Sequence, residues 1–139
     1  MALLGINHVV LPVHDLQASH AFYTHILGLT RVGQRPSMYF YQAGGHNHDL
    51  ALMEMGPQSV QSIGHVCFDV SDEASLTALY QRCQTQGVEI LGSVDHTIMR
   101  SFYIRDPDGH VLEFGVDVPK TEWEHLAAPF SKDKAYPLG

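Results

Sequence analysis

The chain has 139 residues, 45% of them hydrophobic, which suits one compact domain with a real core. Eight Lys and Arg against fifteen Asp and Glu leave a formal charge of −7, so nucleic acid and anionic membrane, which both require a basic surface, are not expected partners. No apolar run reaches spanning length, and the N-terminus alternates like a strand without a basic leader, so neither a membrane segment nor a signal peptide is expected. Cys67 and Cys83 form no C-x-x-C pair, which argues against a zinc finger or redox dithiol and suits a reducing cytoplasm.

In chain order, Leu4 to Val13 reads as a strand rich in Val, Ile and Leu. Asp15 is a candidate N-cap for a helix whose Leu16, Phe22, Tyr23, Ile26 and Leu27 recur at helical spacing, and Gly28 ends it. Leu29 to Gln34 and Met38 to Ala43 read as a strand pair joined at Arg35-Pro36-Ser37. A turn at Gly44-Gly45-His46-Asn47 leads to a strand from His48 to Met55. Residues 4–55 thus form a βαβββ module, and Gly56-Pro57-Gln58-Ser59 opens a linker over 56–61.

The second module, 62–116, repeats that order. Ile63 to Val70 is a strand, and Ser71 or Asp72 caps a helix lined by Leu76, Leu79, Tyr80 and Cys83 that closes at Gly87. Val88 to Asp95 and Arg100 to Arg105 are strands joined through His96-Thr97-Ile98-Met99. Asp106-Pro107-Asp108-Gly109 is a strong turn, because Pro fixes one φ and Gly tolerates a positive one. His110 to Val116 is the last strand. The arm, 117–139, reads as a surface or interface segment with a short helix around Thr121 to Leu126 and a loose end.

The chain holds ten His residues. His14, His20, His25, His110 and His125 sit in polar or surface-like contexts and read as ordinary side chains. His8 and His65 differ, because each opens the first strand of its module. Glu113 lies between Leu112 and Phe114, a costly place for a carboxylate without a partner. Taken singly, each has an ordinary reading, Glu113 as an outward side chain between two inward ones. Taken together, they fall at corresponding or facing positions of a repeat. Packing with pseudo-two-fold symmetry would bring His8 and His65 together. Two His and one carboxylate leave open positions on one face of a metal, an arrangement suited to Fe(II) handling a bidentate substrate and O2.

The paired βαβββ units, the His opening each, and the ending Asp106-Pro107-Asp108-Gly109-x-x-x-Glu113 resemble the vicinal oxygen chelate superfamily over residues 4–116. That superfamily includes glyoxalase I, type I extradiol dioxygenases and bleomycin- and fosfomycin-resistance proteins. Three features are similar to the extradiol dioxygenases. His48, ahead of an apolar strand and seventeen residues before His65, stands where those enzymes place a His that hydrogen-bonds bound oxygen and shuttles a proton. Tyr103 stands ten residues before Glu113, where a phenol holds the substrate's hydroxyl oxygen. His96 in Val94-Asp95-His96 resembles a His near the substrate. Glyoxalase I carries a fourth ligand on the first module's last strand, where this chain aligns Ala51. Glu54 could replace it only by an odd register shift, which would flip it to the other face.

The resemblance implies an α+β fold of two paired βαβββ modules, their mixed sheets curling into a cup around the metal with the helices outside. It implies an extradiol dioxygenase that cleaves a catechol-type aromatic diol with O2. His8, His65 and Glu113 would hold Fe(II), or Mn(II) or another divalent metal. His48, Tyr103 and His96 would act on the substrate. A homodimer or higher homo-oligomer is expected, with Trp123 as a candidate contact. The alternatives are a glyoxalase-type lyase or isomerase and a resistance protein that binds metal or drug without turnover.

Overall fold

The computed structural model describes residues 6–57 and 65–138. The chain divides into two compact units at residue 62/63, with the turn residues Pro107–Gly109 grouping with the first. Residues 4 and 5 of the expected first strand, and most of the expected linker, lie outside the described residues, as do Ile63 and Gly64.

The first unit is built as its alternating pattern predicts. Strands β1 (Val9–Val13), β2 (Thr30–Arg35), β3 (Met38–Gln42) and β4 (Leu50–Glu54) form one sheet in the order β1-β4-β3-β2. β1 runs parallel to β4, pairing Val10 with Ala51, while β3 is antiparallel to both β4 and β2. Leu11, Val13, Tyr41, Leu50 and Leu52 are buried, as are Leu16, Phe22 and Tyr23 of the helix. Helix α1 (Leu16–Ala21) starts on the Asp15 carboxylate, which accepts from the Gln17 and Ala18 N–H groups. Glu54 accepts from the Leu16 N–H at 2.8 Å. Asp108, at the tip of the expected turn, accepts from the His14 N–H at 2.8 Å and the Ser19 hydroxyl at 3.2 Å.

The expected single helix departs from regular winding. From Phe22 to Ile26 it widens into a π-turn, with the Leu27 N–H reaching the Phe22 carbonyl at 3.2 Å. Phe22 and Tyr23, at the start of the wide turn, both point inward, 7% and 0% exposed.

The second unit repeats the plan. Strands β5 (Val66–Asp69), β6 (Ile90–Asp95), β7 (Met99–Arg105), β8 (Val111–Asp117) and β9 (Lys134–Ala135) order as β5-β8-β7-β6-β9. β5 is parallel to β8, and β7 is antiparallel to β8 and β6. Helix α2 (Glu73–Thr85) is capped by Asp72, whose carboxylate accepts from the Ser75 N–H at 2.7 Å, and Gly87, at φ 74°, follows its C-terminus. Leu76 and Cys83 of α2 and the sheet residues Phe102, Ile104, Leu112 and Phe114 are all buried. The Asp106-Pro107-Asp108-Gly109 turn forms as expected. Asp106 accepts from the His110 N–H at 2.9 Å, and Gly109 sits at φ 85°.

Two expectations are corrected here. The short helix expected around Thr121–Leu126 is a 3-10 turn starting one residue earlier and followed by turn hydrogen bonds as far as Leu126, and the end of the arm is not loose. The arm makes short 3-10 turns at Lys120–Glu122 and Pro129–Ser131, then adds β9 to the free edge of β6, and Leu138 is buried. An unpaired strand edge offers backbone groups that the arm satisfies. Trp123 packs edge-on against Phe130 and donates its indole N–H to the Val118 carbonyl, so the residue proposed as an intermolecular contact has partners inside its own unit. The second correction is His110, which is 1% exposed rather than surface-like, because the tight turn draws the backbone beside Asp106 inward.

Phe102 is fully buried, stacked on Phe114 at 5.3 Å between centroids and edge-on to Tyr80 at 5.4 Å. Phe102→Ala should lower unfolding free energy by about 3–5 kcal/mol, the cost of such a truncation in a packed core. Urea unfolding measures it, and a change below about 1 kcal/mol would mean the site collapses around the gap.

Candidate functional site

The register of each unit decides which side chains share a face. In a sheet, residues paired across strands point the same way, and residues two apart along a strand do too. Cys67 pairs with Glu113, Glu113 with Tyr103, and Tyr103 with Gly92. Those residues form one row across β5, β8, β7 and β6, with His65 two residues before Cys67 on the same face. The first unit has the matching row Val10, Ala51, Phe40 and Gly33. Ala51 therefore stands where the other unit has Glu113, as the sequence alignment of the modules places it. Glu54 lies three residues on, exposed and engaged with the Leu16 N–H. One row is polar and its counterpart apolar.

Glu113 faces away from the Leu112 and Phe114 side, as strand alternation requires, yet it is only 4% exposed. Its partners are imidazoles. His65 Nε2 lies 3.0 Å from Oε1, and His96 Nε2 lies 3.5 Å from Oε2. The second unit thus brings together four of the expected site residues, His65, Glu113, Tyr103 and His96. Tyr103 Oη lies 2.8 Å from His96 Nε2. Burial, and then the Glu113 carboxylate, push the Tyr103 phenol up to about 12. Desolvation and Glu113 push the Cys67 thiol up to about 12 as well, although the residue as a whole keeps an exposed area. Above Gly92 no atom lies within 4 Å of where a Cβ would stand, so the row ends in open space beside Tyr103.

The first unit brings His8 and His48 together, with ring centroids 4.4 Å apart. The parallel pairing of β1 and β4 explains this, because each His lies just ahead of one of two adjacent strand starts. Each leans on the Asn before it. His8 Nδ1 is 2.8 Å from Asn7 Oδ1, and His48 Nδ1 is 2.6 Å from Asn47 Oδ1. An amide oxygen accepts, so Nδ1 carries the proton in both rings and Nε2 is left with its lone pair. Sequence reasoning passed over Asn7 and Asn47, although Asn-His occurs at both places.

His96 sits where the repeat breaks. Seven positions separate Gly33 from its partner Phe40, and eleven separate Gly92 from Tyr103, so the second hairpin is four residues longer. The extension carries His96 and Thr97. Thr97, at φ 75°, is in the left-handed region that a β-branched residue avoids. It is held there by its N–H on Asp95 Oδ1 at 2.8 Å and its hydroxyl on the Lys132 carbonyl at 2.6 Å. Asp95 also takes the Arg100 Nε–H at 3.3 Å.

The donor chemistry fits a divalent metal. Two groups bound side by side to one ion at about 2.1 Å have donor atoms about 3 Å apart, the spacing of His65 and Glu113. His8 has the bonded Nδ1 and free Nε2 of an oriented ligand. Among the described residues no three His, Cys, Asp or Glu side chains stand as a ready-made metal cluster; the second unit supplies the His65–Glu113 pair.

A family model described as the Glyoxalase/Bleomycin resistance protein/Dioxygenase superfamily matches residues 5–114. The chain is 30% identical over 120 residues to biphenyl-2,3-diol 1,2-dioxygenase 3 of Rhodococcus globerulus, covering 81% of this chain and 63% of that protein. It thus spans less than two thirds of that relative's length. It is 34% identical over 118 residues to glutathione transferase FosA of Serratia marcescens, covering 82% of each. The solved lactoylglutathione lyase from Agrobacterium tumefaciens superposes with a TM-score of 0.68 at 24% identity, over 84% of this chain and 96% of that one, a likeness of fold.

The hairpin beneath His96 has a defined response to acid. Burial would raise the Asp95 carboxyl, but the Thr97 N–H and the Arg100 guanidinium outweigh it and hold it below the ordinary carboxylate value. A depressed folded value gives stability that is complete above the unfolded carboxyl pKa of about 3.9 and is lost as pH falls through the folded value. Asp95→Asn should therefore be less stable than wild type by a constant amount above about pH 5, the gap closing with acidification. Urea midpoints across pH test this; a gap that widens toward acid contradicts it.

Proposed function

Because the chain belongs to the Glyoxalase/Bleomycin resistance protein/Dioxygenase superfamily, we propose that it is a metal-dependent ring-cleaving dioxygenase acting on a catechol-type aromatic diol with O2. His8, His65 and Glu113 are the proposed ligands of Fe(II), with Mn(II) or another divalent metal able to take the same donors. The carrying observation is the second unit's row, in which a buried carboxylate has His65 on one side and Tyr103 with His96 on the other. A ligand pair beside a phenol and an imidazole suits a substrate that arrives with two hydroxyl groups. Ala51 at the position equivalent to Glu113 supports a three-ligand set with room for both reactants.

When bound, the metal supplies Lewis acidity that makes a coordinated hydroxyl easier to ionise, and open positions that hold diol and O2 together. Tyr103, its phenol held protonated well past neutrality, orients the diol oxygen by hydrogen bonding. His96, bonded to Tyr103, fixes the direction of that phenol. His48, with Nδ1 tied to Asn47, is left with Nε2 to accept and return a proton. The proposal has the protein acting in a reducing cytoplasm, which its two free thiols support, and as a homodimer or higher homo-oligomer.

A second reading, a thiol-dependent transferase or lyase, is favoured by the fuller length match to the glutathione transferase relative. Ala51 weighs against its lyase form, which would need a fourth protein ligand.

Anaerobic reconstitution with Fe(II), then a catechol and aerated buffer, should give oxygen uptake and a yellow ring-fission product. Glu113→Ala should lose bound metal. His48→Ala should keep its metal while kcat falls by about 10²–10⁴, the usual contribution of a positioned acid–base group. Iron-loaded protein that consumes no oxygen with any of several catechols, yet turns over a thiol with an electrophile, would sink the dioxygenase reading in favour of the second.

A further inference from the structure

The C-terminal arm read from sequence as a surface segment places a carboxylate on the far side of His96. Asp133 Oδ1 lies 2.9 Å from His96 Nδ1, while His96 Nε2 lies 2.8 Å from Tyr103 Oη. We propose that Asp133 is a positioning residue of the site, fixing the ring of His96 and the nitrogen that carries its proton. The proposal rests on His96 and Tyr103 being site residues, as in the function proposed above.

The chemistry runs in one direction. A carboxylate only accepts, so Nδ1 of His96 donates to it. In the neutral ring, Nε2 then has a lone pair and accepts the Tyr103 hydroxyl proton. That draws the phenol hydrogen to His96 in place of its other acceptor, the Glu113 carboxylate, and leaves the phenol oxygen's lone pairs to receive a substrate hydroxyl. With Asp133 removed, the ring can turn or exchange its proton between nitrogens. Nε2 would then donate, and could turn toward the Glu113 carboxylate 3.5 Å away. The carboxylate–imidazole–hydroxyl order is the one that holds an imidazole in a working tautomer in other enzymes.

An exposed carboxylate beside a His is usually a weak and mobile partner. Asp133 is more than half exposed, but the chain on both sides of it is pinned to the hairpin that carries His96. Before it, the Lys132 carbonyl accepts the Thr97 hydroxyl. After it, Lys134 and Ala135 pair with Asp95 and Val94, and Lys134 Nζ lies 4.0 Å from Asp95. Next, Tyr136 donates its phenol to Glu73 at 2.9 Å, and its carbonyl accepts the Ser93 hydroxyl. The bracing falls on the four-residue extension that the first unit lacks, on the strand leading into it and, through Glu73, on α2.

The test reads the ring directly. Metal-free protein labelled with 15N at histidine, held at a mildly alkaline pH, should show His96 with its proton on Nδ1 in long-range proton–nitrogen spectra. Asp133→Ala should convert it to the Nε2–H form or a mixture, with the far-ultraviolet circular dichroism unchanged. In the ring-cleavage assay the same variant should retain its iron and lose kcat by about 10- to 100-fold, the range for partners that orient a site imidazole, with a smaller change in KM. A His96 signal identical in wild type and Asp133→Ala overturns the proposal, as does a changed tautomer with unchanged kcat. Since the spectrum needs neither iron nor catechol, a wild-type protein that cleaves no ring defeats the functional reading while the tautomer result still decides the role of Asp133.

Discussion

The parallel pairing of the first and fourth strands in each unit is the constraint from which the site follows. In the second unit it sets Cys67 against Glu113, and so puts His65 on the same face as the carboxylate and within 3.0 Å of it. A one-residue slip would turn Glu113 toward α2 and bring Leu112 and Phe114 out. The buried row of Phe102, Ile104, Leu112 and Phe114 opposes that slip, since Leu112 and Phe114 would leave the core and their packing on Phe102 and Ile104. The packing of one face thus fixes the chemistry of the other.

The same pairing in the first unit produces an apolar row, and the difference is informative. Val10, Ala51 and Phe40 occupy the places of Cys67, Glu113 and Tyr103. A small apolar side chain at Ala51 needs no partner, whereas a carboxylate there would. Among the described residues only the second unit carries a buried acid with imidazole partners, and the same unit carries the longer hairpin and the arm that braces it. The added parts cluster on the unit with a charge to satisfy. Glu113 would be expensive to bury alone; His65 and His96 give its two oxygens imidazole partners at 3.0 and 3.5 Å.

Much of this was legible from one sequence because it depends on short periodicities. Strand alternation and the two turn glycines after the helices mark the βαβββ order, and aligning Leu50-Ala51-Leu52 with Leu112-Glu113-Phe114 matches the equivalent places of Ala51 and Glu113 in the two sheets. The pairing of His65 with Glu113 follows from that register. The features that escaped are set by contacts distant in sequence or by dense local packing. The π-turn at Phe22–Ile26 has no marker in the helical spacing of Leu16, Phe22, Tyr23, Ile26 and Leu27. His110 looks polar in its neighbourhood but is drawn inside by the turn it ends. Asp133, in Ser131-Lys132-Asp133-Lys134, has the composition of a solvated tail. Nothing local shows that it meets a His 37 positions earlier.

The arm illustrates how an edge strand can serve a site. β6 needs something on its free edge, and β9 supplies it with only two paired residues. Two ladder pairs add little stability by themselves. Their position matters more, because Val94 and Asp95 lie immediately before His96, so any chain segment bonded there is held next to that ring. The positive φ of Thr97 points the same way. A β-branched residue costs of order 1–3 kcal/mol in that conformation. It persists because Asp95 takes its N–H, and Lys132 of the arm takes its hydroxyl. Strain at the hairpin tip and the arm that restrains it are therefore one arrangement, and its product is the fixed direction of His96 toward Tyr103.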